Sequence, residues 1–170
     1  MFCRFWPNSR KMALCVSLID DLNKLKSRTG NERGLLMEAF VFLCLIRIAV
    51  LLVPFQRIAG FLGLIAQETP AMQSSAEQKT AATSIGWAVR AAAYRIPWAG
   101  QCLSQALAAM MMLKRRGISC VLYLGVAKDL NGQESLAAHA WLTCGDVFVT
   151  GEGGHEKFSV LAKFVVKGGR

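Results

Sequence analysis

Hydrophobic and polar positions follow two different periods along this chain. Up to residue 116 the apolar residues recur at three- and four-residue spacing, as on helices packed by one face; from residue 119 the spacing falls to two, as in strands. Residues 13–27 carry Leu14, Leu18, Leu22 and Leu25 at helical spacing, which predicts a short amphipathic helix broken by Thr29-Gly30-Asn31. Residues 35–52 are the most hydrophobic stretch and predict a second helix, followed by a third over 55–66 with Phe55, Ile58, Ala59, Leu62 and Ile65 on its apolar face. Residues 67–80 are small and polar and contain Pro70, so they read as a linker. An alanine-rich helix is expected over 81–95 and ends at Ile96-Pro97, because proline cannot continue a helix and displaces its predecessor from helical geometry. The last helix spans 102–116 and stops at Lys114-Arg115-Arg116-Gly117, basic residues followed by glycine.

Strands are expected over 119–126, 137–144 and 147–150, with turns at Asp129-Leu130-Asn131-Gly132 and Gly145-Asp146. Residues 151–156 are a glycine-rich loop, and the apolar run 158–166 completes the set as a final strand. Helices first, then an antiparallel sheet, is an α+β arrangement. The expected organisation is a helical extension over 1–66, a linker over 67–80 and a catalytic domain over 81–170. Met12 could be the true start, which would leave residues 1–11 outside the protein.

The 35–52 stretch is about long enough to cross a bilayer. Glu38 and Arg47 lie within it, however, and each would cost about 2–3 kcal/mol or more near a bilayer centre. A buried or partner-facing helix is the expectation, with peripheral seating on the inner membrane as the alternative. The net charge is +9, which raises the question of a nucleic-acid partner. The basic residues are scattered and none of their runs interleaves with aromatics, so no nucleic acid is expected. An acidic peptide would be attracted by the same field.

Six cysteines are present (Cys3, Cys15, Cys44, Cys102, Cys120 and Cys144), and no pair has the spacing of a zinc or redox site. No metal or cofactor is therefore expected, and a reducing cytoplasm fits better than a disulfide framework. Cys44, Cys120 and Cys144 read as small buried hydrophobes. Cys102 differs, because it falls in the first turn of a predicted helix. Unpaired N–H groups and the helix dipole favour an anion there, so a thiolate becomes a usable nucleophile near neutral pH. The same donors could hold the oxyanion of a tetrahedral intermediate. His139, in Ala137-Ala138-His139-Ala140-Trp141, is one of only two histidines; the other, His155, reads as a loop residue. A helix-start cysteine and a strand histidine make a Cys/His nucleophilic pair if the fold brings them together; otherwise each is a structural residue.

The runs Cys102-Leu103-Ser104-Gln105-Ala106-Leu107-Ala108, Leu113-Lys114-Arg115-Arg116-Gly117-Ile118, Leu124-Gly125-Val126 and Ala138-His139-Ala140-Trp141-Leu142 occur in that order. Together they resemble the transglutaminase-like domain of lasso-peptide biosynthesis B proteins over roughly residues 81–155. The resemblance implies a papain-like cysteine peptidase that removes the leader from a ribosomally made precursor peptide. Cys102 would be the nucleophile and His139 the base. It also implies two partners, a leader-recognition protein and a macrolactam-forming cyclase, with 35–52 as a docking surface for one of them or for the membrane.

Such domains often carry an aspartate about a dozen residues after the histidine, where this chain has Thr150-Gly151-Glu152. If Gly145-Asp146 is a two-residue turn, Cys144 pairs with Val147 and His139 falls opposite Glu152, which could then orient the imidazole. A solvated Glu152, with a backbone carbonyl orienting His139 instead, is the competing expectation. Gln101 could assist the oxyanion hole or simply cap the helix, and Trp141 could line the substrate groove or the core. Two other functions stay open: acyl transfer at the same site, with an amine replacing water, and a non-catalytic binding or membrane-associated protein.

Overall fold

The computed structural model describes residues 30–54, 57, 60, 65–66, 74–96, 102–128 and 136–168. Three helices and a five-stranded antiparallel sheet make up these residues: α1 (Gly30–Leu52), β1 (Ile65–Ala66), α2 (Ala76–Arg95), α3 (Cys102–Arg115), β2 (Cys120–Lys128), β3 (Leu136–Cys144), β4 (Val147–Thr150) and β5 (Ser159–Val166). The strand order is β1-β5-β2-β3-β4. The α+β expectation holds. The predicted helix over 13–27 lies outside the described residues.

Helix α3 is the centre of the molecule. Ala106, Leu107, Ala108, Ala109, Met110, Met112 and Leu113 are all buried, against α1 and α2 on one side and β2, β3 and β4 on the other. Alternate residues of β3 (Ala140, Leu142 and Cys144) and of β2 (Cys120 and Leu122) belong to the same core. The end of α3 closes as the basic-plus-glycine signature predicts. Gly117 has φ 67°, its N–H donates to the Lys114 carbonyl at 3.0 Å, and the Ile118 N–H donates to Leu113 at 3.0 Å. The chain then reverses into β2, so the start of α3 lies toward the far ends of β2 and β3.

Helix α2 starts at Ala76, inside the stretch expected to be a linker. Ser75 and Gln78 form a reciprocal capping box: the Gln78 N–H donates to Ser75 Oγ at 3.2 Å, and the Ser75 N–H donates to Gln78 Oε1 at 3.1 Å. The polarity of these residues reflects a helix start facing water. The helix expected over 55–66 lies largely outside the described residues, and its last two residues are strand: Ile65 pairs with Val165 and Ala66 with Phe164. The outer edge of β5 offers unpaired backbone groups there, which a strand can satisfy and a helix cannot.

Helix α1 is long and apolar enough to cross a membrane, judged by length and composition. One face is committed to the domain: Ala39, Leu43 and Ile46 are buried. Glu38 accounts for its own place in the apolar run. Its carboxylate accepts from Arg116 Nη2 at 2.6 Å and Nη1 at 3.1 Å and pairs with Arg115 at 3.2 Å, which ties α1 to the end of α3. Met37, Val41, Leu45, Ile48 and Leu52 remain exposed on the other face.

Candidate active site

Cys102 is the first residue of α3 and is half-buried. His139 lies on β3, opposite Gly125 of β2, and is also half-buried. The fold brings the two side chains into hydrogen-bonding contact. That bond with Cys102 is the main reason the His139 pKa is raised above the ordinary 6.5; burial opposes the rise, while the Gly151 carbonyl and the Cys102 charge add to it.

The other anchor of the imidazole is a backbone group. His139 Nε2 lies 2.8 Å from the Gly151 carbonyl oxygen. A carbonyl can only accept, so Nε2 carries the hydrogen and donates. Nδ1 is then the nitrogen left for the sulfur, accepting from a thiol or donating to a thiolate.

The register explains why a carbonyl occupies this place. Cys144 pairs with Val147 and Thr143 with Phe148, as a two-residue turn requires, but Leu142 then pairs with Thr150. Val149 is the extra residue of a β-bulge, and it shifts everything after it by one position. The bulged carbonyl is held by α2, where Arg90 Nη1 donates to the Val149 oxygen at 2.8 Å. Gly86, one turn earlier, lets that carbonyl approach, since a Cβ there would collide with it. The strand ends at Thr150, and the expected pairing of His139 with Glu152 does not form. Glu152 is exposed, and its backbone carbonyl rather than its carboxylate makes the contacts seen around it.

Gly151 has φ 76°, a left-handed conformation that glycine adopts freely. A Cβ on it would sit 2.5 Å from the Ala140 oxygen and 2.8 Å from Trp141 Cα. The chain therefore lies directly against β3 at the point where it addresses His139.

Trp141 sits in an aromatic layer beside His139. It is buried, its ring stacks on Tyr123 at 5.4 Å with an interplanar angle of 2°, and it also contacts the rings of His139 at 5.8 Å and His155 at 5.9 Å. Phe158 closes the other side of His139 at 5.0 Å. Gly125 makes room for this layer, because a Cβ would lie 2.8 Å from Trp141 and 2.9 Å from Phe158. Gln101, the other expected substrate or oxyanion residue, lies outside the described residues.

Of the other described cysteines, Cys44 is only half-buried against the core rather than buried as expected, because it lies at the edge of the packed face of α1. Cys120 and Cys144 are fully buried, and burial, reinforced by Cys144, pushes the Cys120 thiol up to about 12 although Lys114 works against it. Among the described residues no three His, Cys, Asp or Glu side chains converge as a metal site would need.

A half-buried helix-tip cysteine beside a sheet, paired with a strand histidine, is one way of building a cysteine nucleophile. The family comparison agrees with it: the model of the transglutaminase-like superfamily matches residues 49–163, well over half the chain. The chain belongs to the transglutaminase-like superfamily. No curated protein and no solved structure matches it. Transglutaminase-like proteins are in general cysteine-based enzymes. The matched region takes in Cys102, His139 and Gly151, and it opens in the last turn of α1, upstream of the residue-81 start expected for the catalytic domain. The sequence offers a backbone carbonyl as one anchor for His139, but it singles out neither Gly151 nor the ring of His155. The only signal for them was the glycine-rich Gly151-Glu152-Gly153-Gly154-His155 run directly after a strand.

Proposed function

We propose that this transglutaminase-like protein is a cysteine endopeptidase that removes the leader segment of a ribosomally made precursor peptide during lasso-peptide maturation. The observation that carries the peptidase reading is the hydrogen-bonding contact between Cys102, at the tip of α3, and His139, whose Nε2 is anchored on the Gly151 carbonyl. The substrate class rests on the motif pattern from Cys102 to Trp141.

In this reading the Cys102 thiolate attacks the scissile carbonyl, and N–H groups at the start of α3 receive the oxyanion. Collapse of the tetrahedral intermediate breaks the C–N bond, and the imidazolium of His139 protonates the leaving amine. The neutral imidazole then takes a proton from water, the hydroxide attacks the thioester, and the C–S bond breaks to restore the Cys102 thiolate and free the carboxylic acid, which gives its proton to solvent. A raised His139 pKa suits the first half of the cycle, since the proton must be on the ring when the amine departs. A leader-recognition protein and a macrolactam-forming cyclase belong to the proposal as partners, and its setting is the cytoplasm or the inner face of the membrane.

The test is cleavage of a precursor peptide from the same gene neighbourhood, followed by mass spectrometry. Loss of cleavage in Cys102→Ala with unchanged circular dichroism supports the proposal, and retained cleavage refutes it. The product separates hydrolysis from acyl transfer: a core peptide with a free N-terminus marks a peptidase, a cross-linked product a transferase.

A further inference from the structure

Where a carboxylate orients an imidazole, its side chain can rotate to follow the ring. A backbone carbonyl cannot. Its aim is set by the peptide plane it belongs to, so whatever holds the 151–155 segment also holds His139.

Among the described residues, the His155 side chain grips that segment. His155 opens a short 3₁₀ turn over His155–Lys157, which is entered from Gly154 at φ 79°. Its Nδ1 lies 2.6 Å from the Glu152 carbonyl oxygen and, facing an acceptor, carries the hydrogen and donates. The His155 backbone N–H reaches the same oxygen at 3.4 Å. The ring is seated against Phe148 of β4 at 4.6 Å and Trp141 of β3 at 5.9 Å. The Glu152 carbonyl is one peptide plane beyond the Gly151 carbonyl that faces His139. Only the two backbone torsions of Glu152 separate the group that His155 grips from the group that His139 grips.

We propose that His155 is a positioning residue for the Cys102–His139 pair: by donating from Nδ1 to the Glu152 carbonyl while seated on Trp141 and Phe148, it keeps the Gly151 carbonyl aimed at His139 Nε2. The inference rests on the Cys102–His139 reading above. It assigns to the second histidine a role in the reaction without contact with the substrate, and it gives the aromatic layer of Trp141 and Phe148 a purpose beyond filling space.

The experiment measures the rate of Cys102 alkylation by iodoacetamide in the full chain as a function of pH, read by mass spectrometry so that the other cysteines are scored separately. A well-aimed carbonyl stabilises the imidazolium, which in turn lets the thiolate form at lower pH. His155→Phe keeps an aromatic ring but removes the donor. It should move the acid limb of the profile to higher pH and slow alkylation on that limb by roughly three- to tenfold, the scale of one net hydrogen bond. His155→Asn places an amide N–H near the position of Nδ1 and should restore the limb most of the way. A His155→Phe profile that superimposes on the parent, or equal shifts in the Phe and Asn variants, would overturn the proposal. If His155→Phe does not fold, His155→Leu against His155→Asn carries the same comparison, with equal profiles again negative. His139→Ala in the same series reports on the dyad itself. An unmoved acid limb in that variant sinks the dyad reading, and this one with it; a moved limb with silent His155 variants sinks only this one.

Discussion

His139 and Gly151 are joined by a hydrogen bond of 2.8 Å in which the imidazole Nε2–H donates to a main-chain oxygen. The place that a carboxylate holds in a Ser-His-Asp triad is thus taken by a group without net charge. The bulge at Val149 is the reason, because it moves Glu152 out of register with His139.

Glu152→Gln keeps the main-chain carbonyl and removes only the carboxylate charge. The expected outcome is precursor cleavage within about twofold of the parent. Removing the charge of a triad carboxylate costs on the order of 10⁴-fold in kcat, so a loss of even a hundredfold would place Glu152 back in the site.

The raised pKa of His139 has a sign that stability measurements can read. A histidine whose folded pKa exceeds its unfolded value binds its proton more tightly when folded. Its stabilising contribution is complete below the ordinary 6.5 and fades as pH rises through the elevated folded value. Urea midpoints of the parent and His139→Ala should therefore differ most in mildly acidic buffer and converge in alkaline buffer. The alkaline limb of kcat/KM should likewise lie above the ordinary histidine value. A gap between the midpoints that widens with pH would contradict the assignment.

Gly151→Ala forces a Cβ onto a left-handed residue lying against the Ala140 oxygen. A stability loss of about 1–3 kcal/mol is expected from the backbone conformation alone. Cleavage should fall further than the folded fraction does, since the carbonyl that orients His139 must move. Thermal unfolding and cleavage assays on the same sample separate the two effects.

Thr150 is 1% exposed, and its hydroxyl has no hydrogen-bond partner among the described residues. An unsatisfied buried hydroxyl costs about 1–3 kcal/mol. Thr150→Val keeps the shape and removes the polar atom, so the unfolding midpoint should rise or hold. A clear fall would mean that the hydroxyl is satisfied, by water for instance.

Iodoacetamide near neutral pH should modify Cys102 in the folded protein and spare Cys120, whose thiol is pushed up to about 12 and has no exposure. Peptide mapping after brief labelling checks this. Faster labelling of Cys120 would show that the core opens readily.

Much of this architecture was legible in the linear pattern, for reasons local to each element. The change of period after residue 116 separates helices from sheet, and the basic residues before Gly117 end α3 where the structure ends it. Cys102 at a helix start and His139 on a strand could be named as candidates because each follows from its own neighbours. The start of α2 was written in Ser75 and Gln78 but hidden by a polar stretch that composition alone makes look like a linker.

By itself, then, the sequence determined the order of helices before sheet, most of the elements, and Cys102 and His139 as candidates for nucleophilic chemistry, but not β1, which lies where a helix was expected. Tertiary structure decided whether those side chains meet and what orients the histidine. The second decision depended on a single residue of register. The bulge at Val149 is stabilised by Arg90 and accommodated by Gly86, both on a helix some sixty residues away in the chain. Strand register is set jointly by every element packed on the strand, so no local pattern around Glu152 could reveal that a carbonyl, and not a carboxylate, would face the imidazole.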